Sequence, residues 1–105
     1  MEQLTPAEVR QRLSGDMPPL LLDVREPWEV AVCAIDGSLN VPMAQIPGAL
    51  GSLDPERETV VVCHHGVRSL QVAMFLERSG FSRVVNLAGG VDAWARDLDP
   101  NMATY

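Results

Sequence analysis

The chain has 105 residues, 47% hydrophobic and 21% charged, which is enough for one domain around one core and excludes a second. Fourteen acidic residues against eight basic ones leave a net charge of −6, and all eight basic residues are arginine, so the basic footprint of a nucleic-acid binder is missing. No apolar run reaches bilayer-spanning length and no charged-then-apolar leader opens the chain, so no membrane role and a cytoplasmic location are expected.

The chain reads as one domain over 1–105, with residues 1–3 and 101–105 expected to fray. Thr5-Pro6-Ala7-Glu8 predicts a helix start: a Thr cap, Pro at the first helical position and Glu closing a capping box. Val9 and Leu13 give that helix its inward face, and Ser14-Gly15-Asp16 ends it. After Pro18-Pro19, the run Leu20-Leu21-Leu22-Asp23-Val24 suits a strand buried on both faces of a parallel sheet. Asp23 reads either as a turn former or helix cap, or as a residue orienting a site at the carboxyl edge of the sheet. Residues 26–32 predict a short helix opened by an acid and a proline, and 35–42 a turn into a short strand stopped by Pro42. In 43–53, Pro47, Gly48 and Gly51 interrupt any period, so one or two irregular helical turns in a surface connection are expected.

Thr59-Val60-Val61-Val62 predicts a further buried strand and delivers Cys63. A helix from about Arg68 to Ser79 follows, with a stripe through Leu70, Ala73, Met74 and Glu77 and with Gly80 placed as a terminating glycine. Arg83–Leu87 is the last strand, and Gly89-Gly90 turns it into a helix carrying Val91, Ala93, Trp94 and Leu98. Strands near 20–24, 39–41, 59–63 and 83–87 alternate with helices. The fold class expected is therefore α/β: a central, mostly parallel sheet of four to five strands with helices on both faces. Cys63 then lies at the carboxyl end of a central strand, where α/β sheets bind ligands.

Cys63-His64-His65-Gly66-Val67-Arg68-Ser69 is the stretch that carries chemistry. A thiol between a strand end and a helix start faces unpaired N–H groups and the positive end of the macrodipole, and Arg68 adds a cation; such surroundings favour a thiolate. Cys33 and Cys63 stand thirty residues apart without CxxC spacing, so neither a disulfide nor a metal centre is expected. Cys33 reads as a small packed residue in preference to a resolving thiol.

With these residues in view the chain resembles a single-domain rhodanese, a member of the sulfurtransferases that carry sulfane sulfur as a cysteine persulfide. Leu-Leu-Asp-Val-Arg-Glu at 21–26 resembles the family's first strand motif, and Ile35 to Pro42 its I-x-G-[AS]-x-N-[IV]-P signature. Cys63 to Ser69 resembles the active-site loop, and Leu87 to Trp94 the closing L-x-G-G-x-x-x-W. The resemblance implies Cys63 as nucleophile and a cradle of His64, His65, Gly66, Val67, Arg68 and Ser69 around the outer sulfur. It implies that Arg68 braces the loop and offsets the anion, and that Asp23 and Arg25 order the floor of the site. It implies no cofactor beyond the covalent persulfide. The loop Cys63–Arg68 is Cys-x4-Arg, shorter than the Cys-x5-Arg of related dual-specificity phosphatases, which favours one sulfur atom over a phosphate.

The chain departs from the family at Cys33-Ala34, where Gly-His is frequent, at Asp36, and at His64 and His65, which replace more cationic or small residues. The two histidines either lower the loop's attraction for a dianionic donor or merely face solvent. The expected function is transfer of sulfane sulfur from thiosulfate or a persulfide donor, through Cys63, to cyanide in vitro or a thiol acceptor in the cell. The alternatives are a persulfide carrier or interaction module serving a sulfur-accepting protein, with Trp28 or 43–53 as docking surface, and a cysteine-based phosphatase or arsenate reductase. Donor, acceptor and oligomeric state are not readable from the sequence.

Overall fold

Four successive buried residues form β4 (Thr59–Val62), and the sheet is assembled around this strand in the computed structural model, which describes residues 1–105. Parallel partners lie on both sides: β2 (Leu20–Asp23) with Leu22 opposite Val61, and β5 (Val84–Leu87) with Asn86 opposite Val61. The edges are β1 (Glu2–Leu4) beside β5 and β3 (Leu39–Asn40) beside β2, giving the all-parallel order β1-β5-β4-β2-β3. All carboxyl ends therefore share one edge, and the Cys63 loop leaves the middle of it.

Alternation along β4 divides the core in two. Val60 and Val62 face a cluster with Val9 of α1 (Pro6–Leu13) and with Val91 and Trp94 of α5 (Gly90–Asp97). Val61 and Cys63 face the other cluster, with Val72, Ala73 and Leu76 of α4 (Val67–Arg78) and Ile46 of α3 (Ile46–Ala49). With α2 (Pro27–Val32), helices cover both faces, as the alternating pattern requires. The capping box forms as expected, Glu8 N–H donating to Thr5 Oγ1 at 3.3 Å and Thr5 N–H to Glu8 Oε1 at 3.0 Å.

Three expectations are corrected. Residues 1–3 do not fray: Glu2–Leu4 pairs with Val85–Leu87 and adds a fifth strand, its one inward side chain, Leu4, joining the core. Residues 101–105 are likewise held, because Met102 packs on the core beside Trp94 and Tyr105 reaches the site edge. The segment 43–53 is irregular as expected, a 3-10 turn, α3 and a second 3-10 turn, but it is more than a surface connection. Ile46 is buried, and Leu50 and Leu53 pack against the α4-side cluster.

Candidate active site

The loop after β4 is clamped from α5. Val91 N–H donates to the Cys63 carbonyl at 2.9 Å and Asp92 N–H to the His64 carbonyl at 3.1 Å, so the start of α5 holds two successive loop peptides. That approach requires Gly90: a Cβ there would strike the carbonyl oxygens of both Cys63 and His64. Gly66 is needed for a second reason. It sits at φ +98 before α4, and this left-handed geometry folds its N–H back onto Cys63 Sγ at 3.0 Å. The sulfur of Cys63, a residue 1% exposed, also lies 3.2 Å from Ser69 Oγ. The sulfur thus lies at the start of α4, whose first N–H groups have no intrahelical partner.

Beneath the sulfur lies an uncharged relay. Ser69 Oγ donates to Asn86 Oδ1 at 2.5 Å, and Asn86 Nδ2 donates to Gln3 Oε1 at 2.9 Å and to the Gly66 carbonyl at 3.2 Å. Ser69 and Asn86 are both buried.

A charged network forms the outer wall. Arg25 is fully buried; its Nη2 lies 2.7 Å from Asp23 Oδ2 and 2.7 Å from the Cys33 carbonyl, and its Nη1 lies 3.0 Å from Tyr105 Oη. Burial opposes the guanidinium's charge, but Asp23 and the Tyr105 hydroxyl outweigh it and the net direction is upward. Asn40 locks this corner by donating to the carbonyls of Asp23 and Arg25, both at 2.9 Å.

Arg68 does not point at the sulfur. Its guanidinium grips Glu29 of α2 in a bidentate pair, at 2.7 and 2.8 Å. Arg68 holds the Glu29 carboxyl down to about 2, burial resists, and the Tyr105 hydroxyl and Glu26 N–H reinforce the shift. In return Glu29 raises Arg68. Tyr105 donates to Glu29 Oε2 at 2.7 Å and accepts from Arg25, so its hydroxyl joins the two ion pairs. Its ring stacks on His64 at 3.9 Å and meets Trp28 edge-on at 5.6 Å.

His64 also stacks on His65 at 3.9 Å. Partial burial, followed by the neighbouring His65, lowers the His64 pKa against the pull of Asp92, so His64 brings little positive charge to the loop at neutral pH. The sequence spacing suggested no metal donors, yet the fold places donor atoms of His64, His65 and Asp92 within 4.8 Å of one another. The imidazole planes are only 27° apart, so their in-plane lone pairs run side by side and do not converge on one point.

The structure thus gathers Cys63, Gly66 and Ser69 at the sulfur and places His64 on the rim. Val67 and His65 are exposed. Asp23 and Arg25 reach the loop only through Glu29 and Tyr105. Cys33 packs with the cluster on the opposite sheet face from Cys63, its sulfur 3.8 Å from Arg25 Nη1. Sequence reading missed Glu29, Asn86, Gln3 and Tyr105. A polar residue inside the otherwise apolar strand Val84–Leu87 was the one available signal, at Asn86.

Comparison with known proteins agrees with this arrangement. The model of the family described as rhodanese-like domain matches residues 5–97. A sulfurtransferase of Allochromatium vinosum is 36% identical over 103 residues, covering 98% of this chain and 96% of that protein. The Mycobacterium tuberculosis protein MoeZ, named for adenylyltransferase and sulfurtransferase, is 36% identical over 104 residues, which cover 97% of this chain and 26% of MoeZ. The crystal structure of a rhodanese-like domain protein from Staphylococcus aureus superimposes with a TM-score of 0.86 at 32% identity, covering 100% of this chain and 99% of that one. No helix is long and apolar enough to cross a membrane.

Proposed function

The chain belongs to the rhodanese-like domain family, and from that premise we propose that it accepts sulfane sulfur on Cys63 as a persulfide and passes it to a thiophilic acceptor. The observation that carries this reading is the loop itself: a buried cysteine sulfur receiving a backbone N–H at 3.0 Å, inside a six-residue Cys-x4-Arg turn between a strand end and a helix start. In loading, the Cys63 thiolate attacks the outer sulfur of thiosulfate, a sulfur–sulfur bond forms, and sulfite leaves with the electron pair of the broken one. An organic persulfide reacts in the same way and releases its thiolate. In unloading, cyanide or an acceptor thiolate attacks the outer sulfur of Cys63–S–S⁻, and the electron pair returns to Cys63. Loop N–H groups neutralise the outer sulfur, with no cofactor and no metal taking part. Arg68 contributes by fixing the loop to α2 through Glu29.

A carrier reading has its own support. In MoeZ the matching region is 26% of a protein also named for adenylyl transfer, so in that relative a domain like this one is joined to another activity. The acceptor would then be a partner protein's thiol, which attacks the outer sulfur as any other thiolate does. Steady-state thiocyanate formation from thiosulfate and cyanide separates the two readings. Many turnovers that vanish in Cys63→Ser support the enzyme. Stoichiometric loading with negligible turnover supports the carrier. Failure to load Cys63 with either donor class defeats both.

A further inference from the structure

Ser69 has one hydroxyl hydrogen, and the buried relay decides where it points. Asn86 Nδ2 lies 3.2 Å from the Gly66 carbonyl, a group that can only accept, so the NH2 end of the amide faces that way. The other end, Oδ1, faces Ser69 Oγ at 2.5 Å and carries no hydrogen, so Ser69 must donate to it. Ser69 then turns a lone pair toward Cys63 Sγ at 3.2 Å. A thiol fits this wiring by donating its S–H to Ser69. A persulfide fits as well, because its charge sits on the outer sulfur. A bare thiolate fits least well: it keeps the Gly66 N–H at 3.0 Å, but toward Ser69 it has no hydrogen to give and faces a lone pair. For Ser69 to turn its hydrogen to the sulfur, Asn86 Oδ1 would be left unpaired in a buried site.

We propose that Asn86 is a positioning residue that acts through Ser69 to disfavour the empty Cys63 thiolate, so that sulfur stays on Cys63 until an acceptor arrives. The proposal rests on the persulfide reading above. Unloading is the step it governs: when the acceptor takes the outer sulfur, the electron pair of the broken bond lands on Sγ, the state for which the relay provides fewest donors. Replacing Asn86 by a residue without an acceptor frees the Ser69 hydrogen for the sulfur.

The test compares the pH profile of Cys63 alkylation by iodoacetamide, read on the Cys63 peptide by mass spectrometry, in wild type, Asn86→Leu, Ser69→Ala and the double variant. It depends on no sulfur donor, so its outcome is separate from that of the sulfurtransferase reading. The charged and titratable groups around the loop, Arg68 with Glu29, His64, His65 and Asp92, are the same in all four proteins. Asn86→Leu is expected to move the midpoint down by about one pH unit, the size of one hydrogen bond to a charged group. In the Ser69→Ala background the same change should produce no shift. Asn86→Asp keeps an acceptor facing Ser69 and should not lower the midpoint, and Asn86→Ala serves where the leucine variant fails to fold. Cyanide should unload pre-loaded Asn86→Leu several-fold faster than wild type. An unchanged or raised midpoint in Asn86→Leu, or an equal shift with and without the Ser69 hydroxyl, would overturn the proposal.

Discussion

The two sides of the Cys63 loop are built from different materials. Beneath the sulfur, Ser69, Asn86 and Gln3 form an uncharged relay whose two inner members are buried and whose hydrogen bonds can be assigned one hydrogen at a time. Outside it, Arg68, Glu29, Tyr105, Arg25 and Asp23 form a charged net that reaches solvent, with the Arg68 side chain 35% exposed. A buried neutral relay is insensitive to salt and unforgiving of a lost partner, whereas a partly exposed ion pair is screened and tolerant. The inner side therefore sets what the sulfur can become, and the outer side keeps the loop in place.

Substitutions can break this division, taken here from the largest effect down. Cys63→Ser should reduce thiocyanate formation to background while thermal unfolding stays near wild type. Asp23→Ala leaves the fully buried Arg25 without its carboxylate and should cost about 3–5 kcal/mol in urea unfolding, a large share of a small domain's stability. Glu29→Gln should cost about 2 kcal/mol at pH 7, after discounting for the exposure of Arg68. The sign follows from the lowered carboxyl: its stabilisation is present above the ordinary value of 4.5 and is lost as pH falls toward about 2, so wild type and variant should converge in acid. High salt should narrow the same gap, which no change beneath the sulfur should do. Tyr105→Phe is the mildest, removing the hydroxyl between Arg25 and Glu29 for about 1 kcal/mol while keeping the stack on His64. Its loading rate should stay near wild type, and Tyr105→Ala should alter stability and rate together.

The scaffold that carries the loop was more legible than either of its sides, and of the inner relay only Ser69 was read from the sequence. Thr59–Val62 announces a central strand by its apolar run, Thr5 and Glu8 announce a helix by their spacing, and Gly80 ends α4 at φ +99 where a terminating glycine belongs. These signals are local, so a single sequence carries them. The strand Glu2–Leu4 was missed because an edge strand with one buried side chain in three has no readable period. The outer net was invisible for another reason: Glu29 and Arg68 stand 39 residues apart, and Tyr105 stands 80 from Arg25, so only tertiary folding joins them. Arg68 shows the consequence. Its position near Cys63 suggested a brace for the loop and a counter-charge for the sulfur, and the partner that its guanidinium grips, Glu29, could not be read from the sequence.

The central claim, that the loop holds a persulfide on Cys63, is tested most directly by peptide mass after incubation with thiosulfate or an organic persulfide. The account predicts an added mass of about 32 Da, one sulfur atom, on Cys63, removed by cyanide and absent from Cys63→Ser. A protein that remains unmodified at Cys63 with both donors, or that gains sulfur only on Cys33, would contradict it.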